Sequence, residues 1–147
     1  MILHPDTIRD LQIVYPCESR TVMHGLSYGL SHAGYDIRIK QPVILPPGGF
    51  TLASSVEQFR MPLSVTGIVH DKSTWARRGL SVFNTVIEPG WMGFLTLELV
   101  NHSAEPLMID EGSPIAQVIF HRLERSTHGY SGKYHNQDDE PVPARSE

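Results

Sequence analysis

The sequence predicts an all-β fold of the sandwich or barrel kind, and three observations carry the prediction. Short apolar or alternating runs follow one another from Tyr35 to Phe120. Clusters of Pro, Gly, Asn and Asp separate them at the spacing of connected strands. Only two stretches, both brief, have the make-up of a helix.

In chain order, Pro5-Asp6-Thr7-Ile8-Arg9-Asp10-Leu11 predicts a short helix with proline in its first turn, where the missing N–H costs nothing. Residues 16–34 have few periodic signals and read as loop. Strands are expected at 35–39, 43–45, 50–53, 64–69, 80–83, 94–100, 107–109 and 116–120. Pro46-Pro47-Gly48-Gly49, Glu88-Pro89-Gly90, residues 101–106 and Asp110-Glu111-Gly112-Ser113-Pro114 punctuate them. Asp71-Lys72-Ser73-Thr74-Trp75-Ala76-Arg77-Arg78-Gly79 interrupts the pattern. Its cap-type residues, helix formers and final glycine predict one or two helical turns. The tail, residues 126–147, is polar and rich in Pro, Gly and Asp, and by itself is expected to be mobile.

The whole chain, 1–147, reads as one domain without internal repeats. Hydrophobic residues at 40% and charged residues at 19% exclude wholesale disorder. A formal net charge of -4 offers no general basic surface to a nucleic acid, so any phosphate contact must come from a local cluster. One cysteine, Cys17, permits no intrachain disulfide and fits a reducing cytoplasm. The N-terminus lacks the basic region and apolar run of a signal peptide. No run approaches the roughly 20 apolar residues of a membrane span. A soluble, cytoplasmic protein is expected.

Two constellations could carry chemistry. Ser73 and Arg77 are four apart and share a helix face. Lys72, Ser73 and Thr74 stand at that helix's start, where backbone N–H groups favour an anion. The arrangement suits either a phosphate cradle or a capped surface turn. In Phe94-Leu95-Thr96-Leu97-Glu98-Leu99-Val100, alternation gives Leu95, Leu97 and Leu99 one face and Thr96 and Glu98 the other. A carboxylate in so apolar a strand is costly if buried alone. Glu98 therefore faces solvent or sits in a pocket with a raised pKa. Glu88 in the preceding turn, and Tyr130, Lys133 and Gln137 in the tail, are further polar candidates. The 8 histidines show no metal-ligand spacing, and one cysteine cannot complete a zinc deaminase site. Walker and Gly-x-Ser-x-Gly motifs are absent.

Together these segments resemble the dCTP deaminases. Pro47-Gly48-Gly49-Phe50-Thr51-Leu52 is similar to their Pro-Gly-x-Phe-x-Leu segment. Lys72-Ser73-Thr74-Trp75-Ala76-Arg77-Arg78-Gly79-Leu80 resembles Ser-Ser-Leu-Ala-Arg-Leu-Gly-Leu. Residues 87–99 resemble Ile-Asp-Pro-Gly-Phe-x-Gly-x-Ile-Thr-Leu-Glu-Leu. Gly112-Ser113-Pro114-Ile115-Ala116-Gln117 and the tail with Lys133-Tyr134, Gln137 and Pro141-Val142-Pro143-Ala144-Arg145 complete the series. Ala33-Gly34-Tyr35-Asp36 also resembles the first motif of dUTP pyrophosphatases, which share the fold. Glu98, Glu88 in place of their aspartate, and the lack of a Gly-rich C-terminal arm separate the chain from that class.

The resemblance implies a distorted β-barrel of the dUTP pyrophosphatase-like, β-clip kind with one or two short helices, assembled as a homotrimer with sites between subunits. It implies hydrolytic deamination of dCTP to dUTP and ammonia without zinc. Glu98 would be the general base, with Arg77 and Ser73 orienting it and the water. Lys72, Thr74, Thr85, Val86, Glu88, Gln117, Tyr130, Lys133 and Gln137 would bind substrate, the tail closing over the site. Mg2+ would ride on the triphosphate. A pyrophosphatase, alone or bifunctional and forming dUMP, and a non-catalytic trimeric nucleotide-binding module are the alternatives.

Overall fold

Each run expected between 35 and 120 forms a strand in the computed structural model, which describes residues 1–146. In chain order the elements are α1 (Pro5–Asp10), β1 (Val14–Tyr15), β2 (Thr21–Met23), β3 (Leu26–Leu30), β4 (Tyr35–Arg38), β5 (Val43–Leu45), β6 (Phe50–Arg60), β7 (Val65–Asp71), α2 (Ser73–Ala76), β8 (Leu80–Val82), β9 (Val86–Ile87), β10 (Met92–Asn101), β11 (Leu107–Ile109) and β12 (Pro114–Arg122). They make a four-stranded sheet β1-β6-β10-β8, a six-stranded sheet β2-β3-β4-β12-β7-β9 and a β5-β11 ribbon. The two larger sheets meet at the Ile39–Ser55 bridge and share one core, with the rings of Phe59 and Phe120 6.3 Å apart between them. The result is a curled, distorted barrel.

The structure corrects three sequence readings. Residues 16–34 are not all loop: β2 and β3 form a hairpin there. Its turn, His24-Gly25, has both residues at positive φ, 51° and 75°, which suits a two-residue hairpin. β2 is exposed throughout, so no buried face writes an alternating pattern. β6 runs to Arg60, beyond the expected 50–53. Ser54, Ser55 and Glu57 look like surface residues but are fully buried with their polar atoms bonded. α2 is also not capped by a side chain: Asp71 instead accepts the Val82 N–H at 2.7 Å. Gly79, at φ +92°, stops the turn as expected.

β10 is the strand that positions the site. Leu95, Leu97 and Leu99 are buried, each contributing about 1.5–3 kcal/mol on transfer from water. Thr96 and Glu98 point the other way, half-buried. The β6–β10 register shifts between Phe94 and Thr96, and the Leu95 N–H there donates to the Ser55 hydroxyl at 2.9 Å.

Candidate active site

The outward face of β10 opens into a cavity of about 480 Å³. Thr96 and Glu98 form part of its lining. Thr85, Val86 and Glu88 come from β9 and its flanks, Phe50 and Leu52 from β6, and Tyr130, Tyr134 and Gln137 from the tail. The lining is mostly apolar and includes no Lys or Arg. Burial therefore pushes the Glu98 carboxyl above the ordinary carboxylate range, offset only by the bond to its own backbone N–H. No other residue hydrogen-bonds that carboxyl among the described residues. Of the two roles open to a strand glutamate, the geometry selects the pocket.

The tail lies against the cavity because the turn ahead of β10 and the first residues of β10 leave room for its backbone. A Cβ on Gly90 would stand 2.8 Å from the Gly129 Cα, and one on Gly93 2.6 Å from the Gln137 nitrogen. The Trp91 indole donates to the Tyr134 carbonyl at 2.5 Å, and Tyr130 N–H to the Pro89 carbonyl at 2.7 Å. Lys133 is half-buried, its ammonium 5.5 Å from the Tyr134 ring centre and its carbonyl accepting from Arg145 at 3.0 Å. Glu147, the last residue of the tail, lies outside the described residues.

The second constellation stands apart from the cavity. Trp75 is buried and anchors α2 by donating to the Pro114 carbonyl at 2.8 Å. That anchoring turns Ser73 and Arg77 outward, both exposed. Lys72 is paired with Asp36 at 2.7 Å. Asp36 faces Gln117 across the β4–β12 register, and Gln117 donates to the Ser31 hydroxyl at 2.9 Å. None of Lys72, Ser73, Thr74, Arg77 or Gln117 lines the Glu98 cavity of the same chain.

Sequence reasoning thus missed Asp36 as the partner of Lys72, and Leu52, Trp91 and Tyr134 as cavity wall. Trp91 had a signal, since a tryptophan beside a Pro-Gly turn must bury its ring against something. The others had none before the tail was placed. Among the described residues no group of three His, Cys, Asp or Glu side chains could hold a metal ion, and no helix is long and apolar enough to cross a membrane.

The family model for dCTP deaminase-like proteins matches residues 18–123. The chain belongs to that family. A dCTP deaminase of Nautilia profundicola is 36% identical, the match covering 92% of this chain and 91% of that protein. A dCTP deaminase of Acidobacterium capsulatum is 32% identical over 89% and 90%. Solved structures agree on the fold. The 2'-deoxycytidine 5'-triphosphate deaminase from Agrobacterium tumefaciens superposes with a TM-score of 0.66 at 17% identity, covering 84% of this chain and 49% of that one. The EIAV dUTPase does so at 0.57 and 20%, covering 68% and 83%. For a dCTP deaminase-like chain, Glu98 is the half-buried carboxylate that the fold brings to this mostly apolar cavity without a side-chain partner.

Proposed function

We propose that the protein is a dCTP deaminase, converting dCTP and water to dUTP and ammonia. The observation that carries the reading is Glu98: an unpaired, half-buried carboxyl with a raised pKa, facing an apolar cavity that suits a pyrimidine. A carboxyl raised above its ordinary range is better matched to taking up and returning a proton than a surface glutamate is. Glu98 takes a proton from water as the oxygen adds to cytosine C4. The same carboxyl delivers that proton toward N3 and then assists departure of the amine. Carbonyl formation at C4 expels ammonia and leaves the uracil ring.

Addition at C4 builds a polar tetrahedral centre, yet the cavity contains no cation. The exposed Arg77 supplies one, with the Ser73 hydroxyl beside it, if they come from a neighbouring subunit of a homotrimer. Their outward orientation and absence from their own chain's cavity support that arrangement. Exposed Phe50 and Phe83, stacked with ring centres 6.4 Å apart at the cavity's edge, are apolar surface for such a neighbour to cover. Lys72, Thr74 and Gln117 then meet the triphosphate, whose Mg2+ enters as part of the substrate. Thr85, Val86 and Glu88 border the base, and Tyr130, Lys133 and Gln137 close over it. A nucleotide-pool substrate and the free thiol of Cys17 fit the cytoplasm.

The test is incubation with dCTP and with dUTP while ammonia and pyrophosphate are followed separately. Ammonia from dCTP without pyrophosphate supports the reading. Pyrophosphate from dUTP without ammonia from dCTP overturns it. A monomeric mass in light scattering overturns the shared site.

A further inference from the structure

Resting on the deaminase reading, we propose that Thr96 is a positioning residue whose hydroxyl latches the C-terminal segment to the strand that carries Glu98. The tail runs beside β10 in the same direction. Asn136 N–H donates to the Met92 carbonyl at 2.8 Å, and Phe94 N–H to the Gln137 carbonyl at 3.1 Å, with Gly93 and Gln137 paired as a parallel bridge. Backbone pairing to β10 ends there. Residues 138–141 loop away, tied by the contact of Asp139 with Lys40. The tail returns at Val142, which is buried.

Thr96 holds both ends of that loop. Its hydroxyl accepts the Val142 N–H at 3.0 Å and donates to the Gln137 side-chain oxygen at 3.3 Å. A hydroxyl has one proton to donate and lone pairs to accept, so it makes both bonds at once. It supplies the side-chain hydrogen bonds from β10 to the tail. Val142, Gln137 and Thr96 all line the Glu98 cavity, and Thr96 lies two residues from Glu98 on the same strand face. Fixing the two tail residues therefore fixes the wall that keeps water from the carboxylate. The titratable groups sharing that cavity are Glu88 from the preceding turn and Tyr130 and Tyr134 from the tail. With no cation among these groups of the same chain, exclusion of water is what raises the Glu98 pKa, while Arg77 of a neighbouring subunit acts to lower it; the latch acts on the exclusion of water.

Thr96→Val keeps the shape and removes the hydroxyl, while Thr96→Ser keeps the hydroxyl. In the full-length protein, Thr96→Val should speed hydrogen exchange at the Val142 amide roughly tenfold, from the loss of a buried N–H's partner. Deamination of dCTP should lose roughly tenfold in kcat/KM, from the same lost bond. The acid limb of its pH profile should move to lower pH, because a wetter Glu98 is a stronger acid. Thr96→Ser should restore all three. The exchange effect should persist in the Glu98→Gln background, where the proposed general base is removed. That measurement decides the latch even if wild-type protein releases no ammonia from dCTP, a result that would sink only the deaminase reading. Unchanged Val142 exchange in Thr96→Val, or equal damage from Thr96→Ser, would overturn the latch.

Discussion

Two carboxylates on neighbouring strands, Glu57 on β6 and Glu98 on β10, are both removed from water, and they have opposite surroundings. Glu57 is fully buried and accepts from the Arg38 side chain at 2.8 Å and the Arg38 N–H at 2.9 Å. Arg38 in turn lies 4.2 Å over the Tyr28 ring. Glu98 is half-buried, has no side-chain partner, and opens to a cavity. Desolvation raises the pKa of both, although the bonds from Arg38 hold Glu57 back. The comparison teaches that burial alone does not make a carboxylate reactive. A charged partner makes one a fastener, whereas the other faces a mostly apolar recess with no side chain to hold its proton count fixed.

The comparison breaks most easily at Glu98. Glu98→Gln should fold and bind dCTP yet lose roughly 10²–10⁴-fold in kcat, the scale of general acid–base catalysis. Ammonia release is the measurement, and near-normal turnover would remove the mechanism. The proposed mechanism requires Glu98 deprotonated, so the rate should climb as pH rises through the raised Glu98 pKa. That acid limb should lie above the ordinary carboxylate value. The stability sign runs the other way. A raised folded-state pKa gives stability that is full below the unfolded value and lost as pH rises through the folded one. Glu98→Gln should therefore gain on wild type in thermal unfolding as pH moves from acid to neutral.

Glu57→Gln should show the converse. Removing one partner of a buried pair costs about 3–5 kcal/mol. The lower end applies because the Arg38 side chain keeps 15% exposure. Urea unfolding should report that loss, with activity per folded molecule retained. The smallest effect is expected at Glu88, exposed at the cavity rim. Glu88→Gln should change turnover about twofold, the scale of a surface substitution. A larger loss there than at Glu98 would exchange the roles of the two residues.

The same pair shows what the sequence makes legible. Glu98 stands out because three leucines alternate around it, so its face can be assigned from spacing alone. Glu57 does not, because Ser54-Ser55-Val56-Glu57-Gln58 reads as a polar stretch and the arginine that permits its burial is 19 residues away. β7, β10 and β12 are legible for the reason Glu98 is: each carries a repeating apolar face. The β2–β3 hairpin was not, since its register rests on a His-Gly turn and exposed side chains. The position of the tail was equally hidden. Its contacts run through backbone atoms of Asn136, Gln137 and Val142 and through the space that Gly90 and Gly93 leave empty, and no side-chain pattern records these. Ser73 and Arg77 were legible as a helix face, but the outward turn of that face depends on where Trp75 is buried.

The chain's 2 tryptophans divide between the two constellations. Trp75 sits inside α2, with Arg78 5.0 Å above its ring, and Trp91 lies beneath the tail with its indole bonded to Tyr134. Intrinsic emission is therefore already partitioned: light from Trp91 reports whether the tail is seated, and light from Trp75 reports what approaches the helix. Replacing either with phenylalanine isolates the other's spectrum. Stopped-flow mixing with nucleotide would then follow the surroundings of the tail and of the helix as two separate signals, without attaching a dye.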